Sequence, residues 1–364
     1  MRAVVLTGHG GPDKLEYHAD WPAPQPGPGE AVVKVGACGL NNTDVNTRSA
    51  WYSKGAAAAT SGGELEGAGE QDAAWGGGGI EFPRIQGADV AGVVVATGAA
   101  VDEGLIGQRV LIDTWLRDWN EPMNMDKCAY YGSECDGGYA DYTCVDARQV
   151  HPVASALSDT ELATFATAYV TAENMLNRAA VGAGQTVLIP GASGGVGSAL
   201  IQLTKRRGAV PIAMCGAGKE DAVRAAGAQI ILPRSRHHTG GDLGGALRAS
   251  IARDTVDVVA DVVGGDGWPA LIGVIARGGR YTCAGAIAGP VVDFDLRTFY
   301  LRDLTFTGAT IVPPGVFADL VRYIERGEIK PLLAATFALR DFHAAQQAFI
   351  DKRHVGNIVI DMAL

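Results

Sequence analysis

The chain has 364 residues, of which 47% are hydrophobic and 19% are charged, and this length suggests two domains. A formal net charge of −10 argues against a nucleic-acid partner. No apolar run approaches the ~20 residues of a membrane helix, so no membrane partner is predicted. The first residues enter a strand pattern without a signal peptide, and the default expectation is a cytoplasmic protein whose six cysteines stay reduced.

The first 150 residues alternate strand patterns with turns rich in Pro and Gly. Strands are predicted at 3–6, 31–35, 89–97, 108–112 and 139–145, which is typical of an irregular β-rich domain. Residues 53–79 are rich in Gly and Ala and have no periodicity. They predict a flexible surface insertion that buries no core, with a functional lid as the alternative.

From residue 158 onward, strand and helix patterns alternate. The segment SDTE at 158–161 has the form of a capping box, and the apolar run after it predicts a helix to Leu176. Strands are then predicted at 185–190, 210–214, 256–262 and 279–283, with helices from Val196, around 219–226 and at 267–276. This order predicts an α/β domain with a parallel sheet, and the segment 354–361 predicts a strand that returns to the first domain.

The strand at 185–190 runs into the turn GASGGVG at 191–197, and a helical pattern follows. Glycine at 194 and 195 lets the backbone approach a pyrophosphate, and Gly197 lets the helix pack closely on the strand. An anion then lies at the helix N-terminus. The turn therefore predicts dinucleotide binding, with Ser193, Gly194, Gly195 and Val196 at the cofactor.

The end of the second strand of this sheet predicts which dinucleotide is bound. NAD sites usually place Asp or Glu there, whereas this chain has MCGAGK at 214–219. The stretch has no carboxylate, and two cations, Lys219 within it and Arg234 after the third strand, suit a 2′-phosphate, so NADP(H) is predicted over NAD(H), with Cys215 also at the cofactor. The alternative is that Arg234, Arg236, His237 and His238 form a solvated loop.

The chain resembles the medium-chain dehydrogenase/reductase superfamily, and within it the zinc-independent quinone oxidoreductase-like branch. The resemblance runs from MRAVVLTGHGGPDKL through GLNNTDVNTRSAWY, FPRIQGADVAGVVVATG, DGGYADY and GASGGVG to GGRYTCAGAIAG, DLTFTGA and GNIVI. It implies a GroES-like catalytic domain over residues 1–155 and 331–364 and a Rossmann cofactor domain over 156–330. The active site is expected in the cleft between them.

The resemblance also implies that there is no catalytic metal. Zinc-dependent relatives have two cysteines and a histidine at the positions held here by Asn41, Thr167 and Ala88. A catalytic zinc needs about three strong protein ligands. The segment 113–137 resembles the relatives' structural-zinc lobe but carries only Cys128 and Cys135 where four cysteines are needed.

Without a metal, hydrogen-bond donors are expected to stabilise charge on the substrate oxygen. The resemblance implies catalytic roles for Asn41, Thr43 and Tyr52, although Asn41 and Tyr52 would also suit purely structural roles. Asp44 is predicted to bind backbone amides. Trp51, Tyr52, Trp115, Trp119, Tyr130 and Tyr131 are aromatic residues that could wall an apolar pocket.

Three further cofactor residues are implied by the resemblance. Thr171 is expected near the nicotinamide face, Val263 on the adenosine–ribose side and Ala284 at the nicotinamide.

The predicted function is NADPH-dependent hydride transfer to a small-molecule quinone or α,β-unsaturated carbonyl. An alcohol or polyol dehydrogenase and a non-catalytic NADPH-binding protein are the alternatives. The alternating segment 300–310 resembles the family's edge strand, and pairing of two copies through it predicts a homodimer.

Overall fold

A computed structural model describes residues 1–60, 68–76, 78–234 and 241–364. The strands in chain order are β1 Ala3–Leu6, β2 Leu15–His18, β3 Glu30–Gly39, β4 Arg84–Ile85, β5 Asp89–Thr97, β6 Arg109–Ile112, β7 Trp115–Leu116, β8 Ala129–Tyr130, β9 Tyr142–Asp146, β10 Val150–Pro152, β11 Thr186–Ile189, β12 Val210–Cys215, β13 Ile230–Pro233, β14 Val256–Asp261, β15 Ile275–Cys283, β16 Thr305–Gly308, β17 Leu333–Ala338 and β18 Asn357–Asp361.

The α-helices in chain order are α1 Asn42–Arg48, α2 Asp159–Leu162, α3 Ala166–Arg178, α4 Gly195–Arg206, α5 Glu220–Ala225, α6 Leu243–Ile251, α7 Trp268–Gly273, α8 Leu296–Tyr300, α9 Val316–Glu325 and α10 Phe342–Ile350. Within the described ranges, none of these helices has the length and apolar character needed to cross a membrane.

The chain divides into two compact units. The first comprises Met1–Ala56, Ser61–Thr167 and Pro313–Leu364, and the second comprises Ala57–Thr60 and Ala168–Val312. Both boundaries differ from the predicted ones at 155/156 and 330/331. Helix α2 belongs to the first unit because Asp159 accepts a 2.7 Å hydrogen bond from Arg109 of β6. Helix α9 belongs there because its Phe317 packs on His151 of β10, with 4.9 Å between ring centroids.

The first unit is built on a seven-stranded sheet in the order β10-β6-β5-β3-β18-β17, with β9 also paired to β3. The antiparallel pair β3–β5 places Gly39 opposite Asp89, and β18 pairs Val359 with the same Gly39. The end of β3 and the start of β5 therefore meet, and the turn that begins at Asn41 lies beside Asp89. The pairing of β18 with β3 confirms that the C-terminal strand returns to the first part of the chain.

The second unit contains a six-stranded parallel sheet in the order β13-β12-β11-β14-β15-β16. This is the strand order of a Rossmann sheet, in which the order reverses between the first and fourth strands. Leu188, Ile212 and Val259 of its central strands are fully buried against Leu247 of α6 and Ile272 of α7. The predicted α/β fold with a doubly wound parallel sheet is confirmed.

The helix predicted from 158 to Leu176 is two helices, α2 and α3. Asn357 donates a 2.5 Å hydrogen bond from Nδ2 to the carbonyl of Thr164, and Asp89 accepts from the amide of Thr167 at 2.8 Å. These side chains satisfy backbone groups that a continuous helix would bond internally, and they stabilise the break. The strand pattern predicted from Tyr300 is also shorter, because Tyr300 ends α8 and pairing begins only at Thr305.

The predicted surface insertion at 53–79 is partly packed, which corrects the expectation that it buries no core. Ala56, Ala73 and Ala74 are buried. Ser53 Oγ accepts from the amide of Gly69 at 2.8 Å, which joins the first residue of the insertion to one near its middle. Residues 61–67 and 77 lie outside the described ranges, as do Arg236, His237 and His238 of the predicted basic loop.

Candidate active site

The turn after β3 is fixed by Asp44, a buried carboxylate in the first turn of α1. Its Oδ2 accepts hydrogen bonds from the backbone amide of Asn41 at 2.8 Å and from the Tyr139 hydroxyl at 2.7 Å. Burial raises the pKa of Asp44 to about 7, although both hydrogen bonds oppose that shift. The structural role predicted for Asp44 is confirmed by its bond to the backbone.

Next to this turn, three side chains form a chain of hydrogen bonds. Tyr130 and Thr167 bring their hydroxyl oxygens within 2.6 Å of each other, and Thr167 donates from Oγ1 to Oδ1 of Asp89. The same Oδ1 accepts from the Thr167 amide. Burial raises the pKa of Asp89 to about 6, and burial also raises the pKa of Tyr130 well above its usual value. The sequence predicted no role for these two hydroxyls beyond a wall position for Tyr130.

The Asn41 side chain faces this chain. It lowers the pKa of Asp89, opposing the effect of burial, yet Nδ2 of Asn41 and Oδ2 of Asp89 fall outside hydrogen-bond geometry and have no partner in the described part of the chain. Ala88 precedes Asp89 and is buried. Asn41, Ala88 and Thr167, the positions that correspond to the zinc ligands of the relatives, thus lie near or next to Asp89.

This set of side chains does not fit a catalytic zinc ion. The Thr167 hydroxyl is engaged with Asp89 and Tyr130, and Ala88 offers only a methyl group. Among the described residues, no group of three His, Cys, Asp or Glu side chains could hold a metal. A zinc site needs about three strong N, S or O ligands, which these positions do not provide.

The other two predicted catalytic residues pair with each other. Tyr52 is half-buried and donates from its hydroxyl to Thr43 Oγ1 over a long 3.4 Å. Burial raises the pKa of Tyr52, and the hydroxyl of Thr43 and the side chain of Asn46 lower it. The weak bond leaves this phenol more easily redirected than that of Tyr130.

The predicted aromatic set does not form a single wall. Trp115 and Tyr130 pack with Trp75 of the insertion, with ring centroids 4.4 to 5.8 Å apart. Trp119 instead contacts the guanidinium groups of Arg117 and Arg148. Tyr131 is fully buried and bonded to the Thr143 hydroxyl, so it supports the fold. Trp75 was missed because its segment carries no periodic pattern.

In the second unit, the Gly-rich turn joins β11 to α4. Gly191 has a positive φ of 68°, and Gly194 caps the helix. A Cβ on Gly197 would lie 2.3 Å from the Gly191 carbonyl oxygen, so only glycine fits there. The exposed amides at the start of α4 offer donors and a positive dipole to a pyrophosphate. This geometry fits a nicotinamide dinucleotide.

The predicted NADP residues meet at the neighbouring strand ends. Strands β12 and β13 pair Cys215 with Pro233, so Gly216 and Arg234 follow side by side. Nη2 of Arg234 lies 3.6 Å from the position that a Gly216 Cβ would occupy. The pKa of Lys219 is lowered by burial and then by the nearby charge of Arg234, which shows that the two cations share one region.

Of the remaining predicted cofactor residues, Val263 and Ala284 follow strands of the same sheet, and Thr171 lies on helix α3. Val263 follows β14, and its Cγ2 lies 2.8 Å from the Cβ position of Gly191, which places it against the Gly-rich turn. Ala284 follows β15 and donates its amide to the carbonyl of Asp261 at 3.2 Å. Thr171 is half-buried on α3.

Comparison with known proteins identifies the family. Residues 27–155 match the model of the alcohol dehydrogenase GroES-like domain, and residues 195–326 match that of the zinc-binding dehydrogenases. A solved structure of a candidate alcohol dehydrogenase from Sinorhizobium meliloti 1021 is 46% identical, covers 99% of this chain and 96% of its own, and superposes with a TM-score of 0.88. The chain belongs to the medium-chain dehydrogenase/reductase superfamily.

Other members of the superfamily show the range of activities among its relatives. Mouse quinone oxidoreductase is 24% identical over 96% of this chain and 94% of its own length. Crotonyl-CoA reductase of Streptomyces avermitilis is 28% identical over 98% and 84%. Membership confirms the predicted GroES-like and Rossmann domains and makes this chain a nicotinamide-dependent oxidoreductase.

Proposed function

We propose that this dehydrogenase/reductase uses NADPH to reduce a quinone or an α,β-unsaturated carbonyl without a metal. The observation that carries the proposal is the Tyr130–Thr167–Asp89 hydrogen-bond chain beside Asn41 and Ala88. The side chains at this place donate and accept hydrogen bonds, and they do not form the ligand set of a metal ion that could act as a Lewis acid.

Conjugated acceptors suit such a site. Bound NADPH supplies a hydride, and the charge that arrives at the β-carbon of an enone delocalises onto its oxygen. Hydrogen bonds can stabilise that oxygen in a site from which water is excluded. We assign Asn41, Thr43 and Tyr52 to the acceptor pocket. The names of the mouse and Streptomyces relatives, a quinone oxidoreductase and a crotonyl-CoA reductase, support this substrate class.

The preference for NADPH over NADH rests on charge. Lys219 and Arg234 converge where the second and third strands of the Rossmann sheet end, the place where a ribose hydroxyl or its phosphate is held. Glu220 follows Lys219, and its charge contributes to the raised pKa of the Cys215 thiol. Two cations outweigh this one carboxylate. The remaining predicted residues, from Thr171 to Ala284, are assigned to the same cofactor.

Alcohol dehydrogenation is the second candidate, because the 46% identical structure is described as a candidate alcohol dehydrogenase. A structure of an NAD-dependent alcohol dehydrogenase is also similar, with 27% identity and a TM-score of 0.86. Such a reaction here would have to remove the alcohol proton without a metal.

A direct comparison of substrates separates the two candidates. We expect NADPH to be oxidised with 1,2-naphthoquinone and with a 2-alkenal, and NADP⁺ to be reduced far more slowly with primary and secondary alcohols. The measurement is nicotinamide absorbance at matched enzyme concentration. Turnover confined to alcohols would reject the proposed function in favour of the second candidate.

We also propose a homodimer in the cytoplasm. Strand β16 is an edge strand that pairs only with β15 among the described strands, and beside it Leu296, Tyr300 and Leu301 of the α8 region expose more than half of their surface. An uncovered edge next to apolar side chains favours pairing with a second copy. Six free cysteines fit a reducing compartment.

Light scattering at micromolar protein is expected to give twice the 37.7 kDa chain mass. The amides of Ala309 and, by alternation, Thr307 face β15, whereas that of Gly308 faces the outer edge. Gly308→Pro therefore removes an edge donor from β16 and is expected to shift the protein toward monomer. Thr336→Pro on β17 of the first unit is the comparison and should leave the oligomeric state as it is. A wild-type monomer would contradict the dimer.

A further inference from the structure

Two tyrosine hydroxyls compete for the role of proton donor in the proposed acceptor pocket. The Tyr52 hydroxyl reaches Thr43 over 3.4 Å and also interacts with the Asn46 side chain, and neither partner is a titratable group. The Tyr130 hydroxyl reaches Thr167 over 2.6 Å, and that bond continues to the Asp89 carboxyl group. Only the Tyr130 chain, among the described residues that we assign to this pocket, ends on a carboxyl group, and burial raises the pKa of that group to about 6.

Tyr130 lies close to the other residues of the pocket. The Tyr52 phenol is near enough to contribute to the raised pKa of Tyr130, and Asn41 faces Asp89 at the far end of the chain. The Tyr130 ring packs with those of Trp75 and Trp115, and the three rings form an apolar surface suited to a flat conjugated acceptor. Tyr130 exposes 4% of its surface, so its phenol is screened from bulk water. A hydrogen bond stabilises developing charge more strongly in such a water-excluded site than in bulk water.

We propose that Tyr130 is the catalytic proton donor of the reduction and that Thr167 and Asp89 form a relay that resupplies its proton. This inference rests on the proposed function and names a residue for its second step. Hydride addition leaves an enolate or a hydroquinone anion. The Tyr130 O–H bond then breaks and the proton joins the substrate oxygen. In the enzyme form with a protonated Asp89, the Thr167 hydroxyl turns to donate to Tyr130 and to accept from the Asp89 carboxyl group. Thr167 then passes its proton to Tyr130, and the Asp89 carboxyl passes its own to Thr167.

The transfers must occur together. A buried tyrosinate beside a carboxylate would place two negative charges in a site of low dielectric, which is costly. Burial raises the pKa of Tyr130 and that of Asp89, so each group resists losing its proton alone. After product release, water at Tyr130 returns one proton along the chain in the opposite direction, and Asp89 is neutral again.

Tyr130→Phe tests the donor. Its kcat for an alkenal is expected to fall about 10²–10⁴-fold, as for the loss of a general acid, with little change in KM or in NADPH affinity. Tyr131→Phe is the matched control. It deletes a neighbouring, equally buried hydroxyl that also bonds to a threonine, Thr143, but has no place in the relay. Its kcat should stay near the wild-type value.

The relay is tested with Thr167→Val, Thr167→Ser and Asp89→Asn. Valine keeps the shape and removes the hydroxyl, so kcat is expected to fall by a similar factor. Serine restores the hydroxyl and is expected to restore most of kcat. Asparagine keeps the size of Asp89 but cannot release a proton, so kcat should fall.

Wild-type enzyme gives a readout that needs no variant. Rates in mixtures of H₂O and D₂O are expected to follow a curved dependence on the deuterium fraction, because several protons move in one step. A linear dependence, or a Tyr130→Phe enzyme with wild-type kcat, would overturn the relay. If wild-type enzyme reduces no conjugated acceptor, the proposed function itself is wrong, which is a separate outcome.

Discussion

Gly197→Ala is expected to abolish nicotinamide cofactor binding and to destabilise the second unit. The added Cβ would lie 2.3 Å from the Gly191 carbonyl oxygen and 2.7 Å from Ala192 Cα, and backbone atoms cannot turn aside as a flexible side chain can. Overpacking of this kind costs about 1–3 kcal/mol or more. Each kcal/mol should lower the melting temperature by about 2–4 °C, and isothermal titration should show no NADPH binding.

Substitutions at two other glycines show whether NADPH binding is lost through overpacking of the turn or through lost approach to the pyrophosphate. At Gly194 the nearest atom to an added Cβ is 3.6 Å away, so Gly194→Ala should fold normally and lose cofactor affinity only through its approach to the pyrophosphate. At Gly182 nothing lies within 4 Å, so Gly182→Ala should bind NADPH like the wild type. If Gly197→Ala kept both stability and binding, the close approach at the turn would be refuted.

Replacing both Lys219 and Arg234 by alanine is the second substitution with a large expected effect. It should weaken the binding of NADPH and leave that of NADH nearly unchanged. A hydrogen bond to a charged phosphate contributes about 1.5–3 kcal/mol, so each alanine substitution should raise the NADPH dissociation constant about tenfold or more. The double variant should lose about a hundredfold or more if the two contacts are independent. Affinity for NADH should barely change, since NADH lacks the 2′-phosphate.

Arg224→Ala provides the control for net charge. Arg224 is exposed in the last turn of α5, the helix whose N-cap is Lys219, so this substitution removes one nearby positive charge and should leave NADPH affinity at the wild-type value. Equal weakening of NADPH and NADH in the Lys219 and Arg234 variants would show that these cations do not read the 2′-phosphate. Stronger binding of NADH than NADPH by the wild type would reject the NADP(H) assignment.

Local patterns allowed much of the fold to be predicted. The strand at Asp89–Thr97 was predicted at its observed bounds, and GASGGVG identified the cofactor turn because strand, glycines and helix are contiguous in sequence. The broken helix at 163–165 could not be predicted in this way. Its break depends on Asn357 and Asp89, which lie far away in sequence and supply the missing backbone partners.

The same distinction between local sequence patterns and contacts distant in sequence applies to the residues of the candidate site. Asn41 and Thr43 stand in a recognisable turn, and Asp44 could be assigned from its position alone. Tyr130 and Thr167 are brought together by packing, and nothing in the spacing of a tyrosine and a threonine predicts a 2.6 Å contact. Trp75 sits in a segment whose composition suggested a bare loop.

Zinc content measured together with activity tests the central claim, a reductase that works without a metal. Purified enzyme should contain much less than one zinc ion per chain by elemental analysis, and its NADPH-dependent reduction of an alkenal should persist unchanged in EDTA. The reason is that Asn41, Ala88 and the engaged hydroxyl of Thr167 do not form a ligand set. One tightly bound zinc per chain, lost together with activity on chelation and restored with it, would contradict the account.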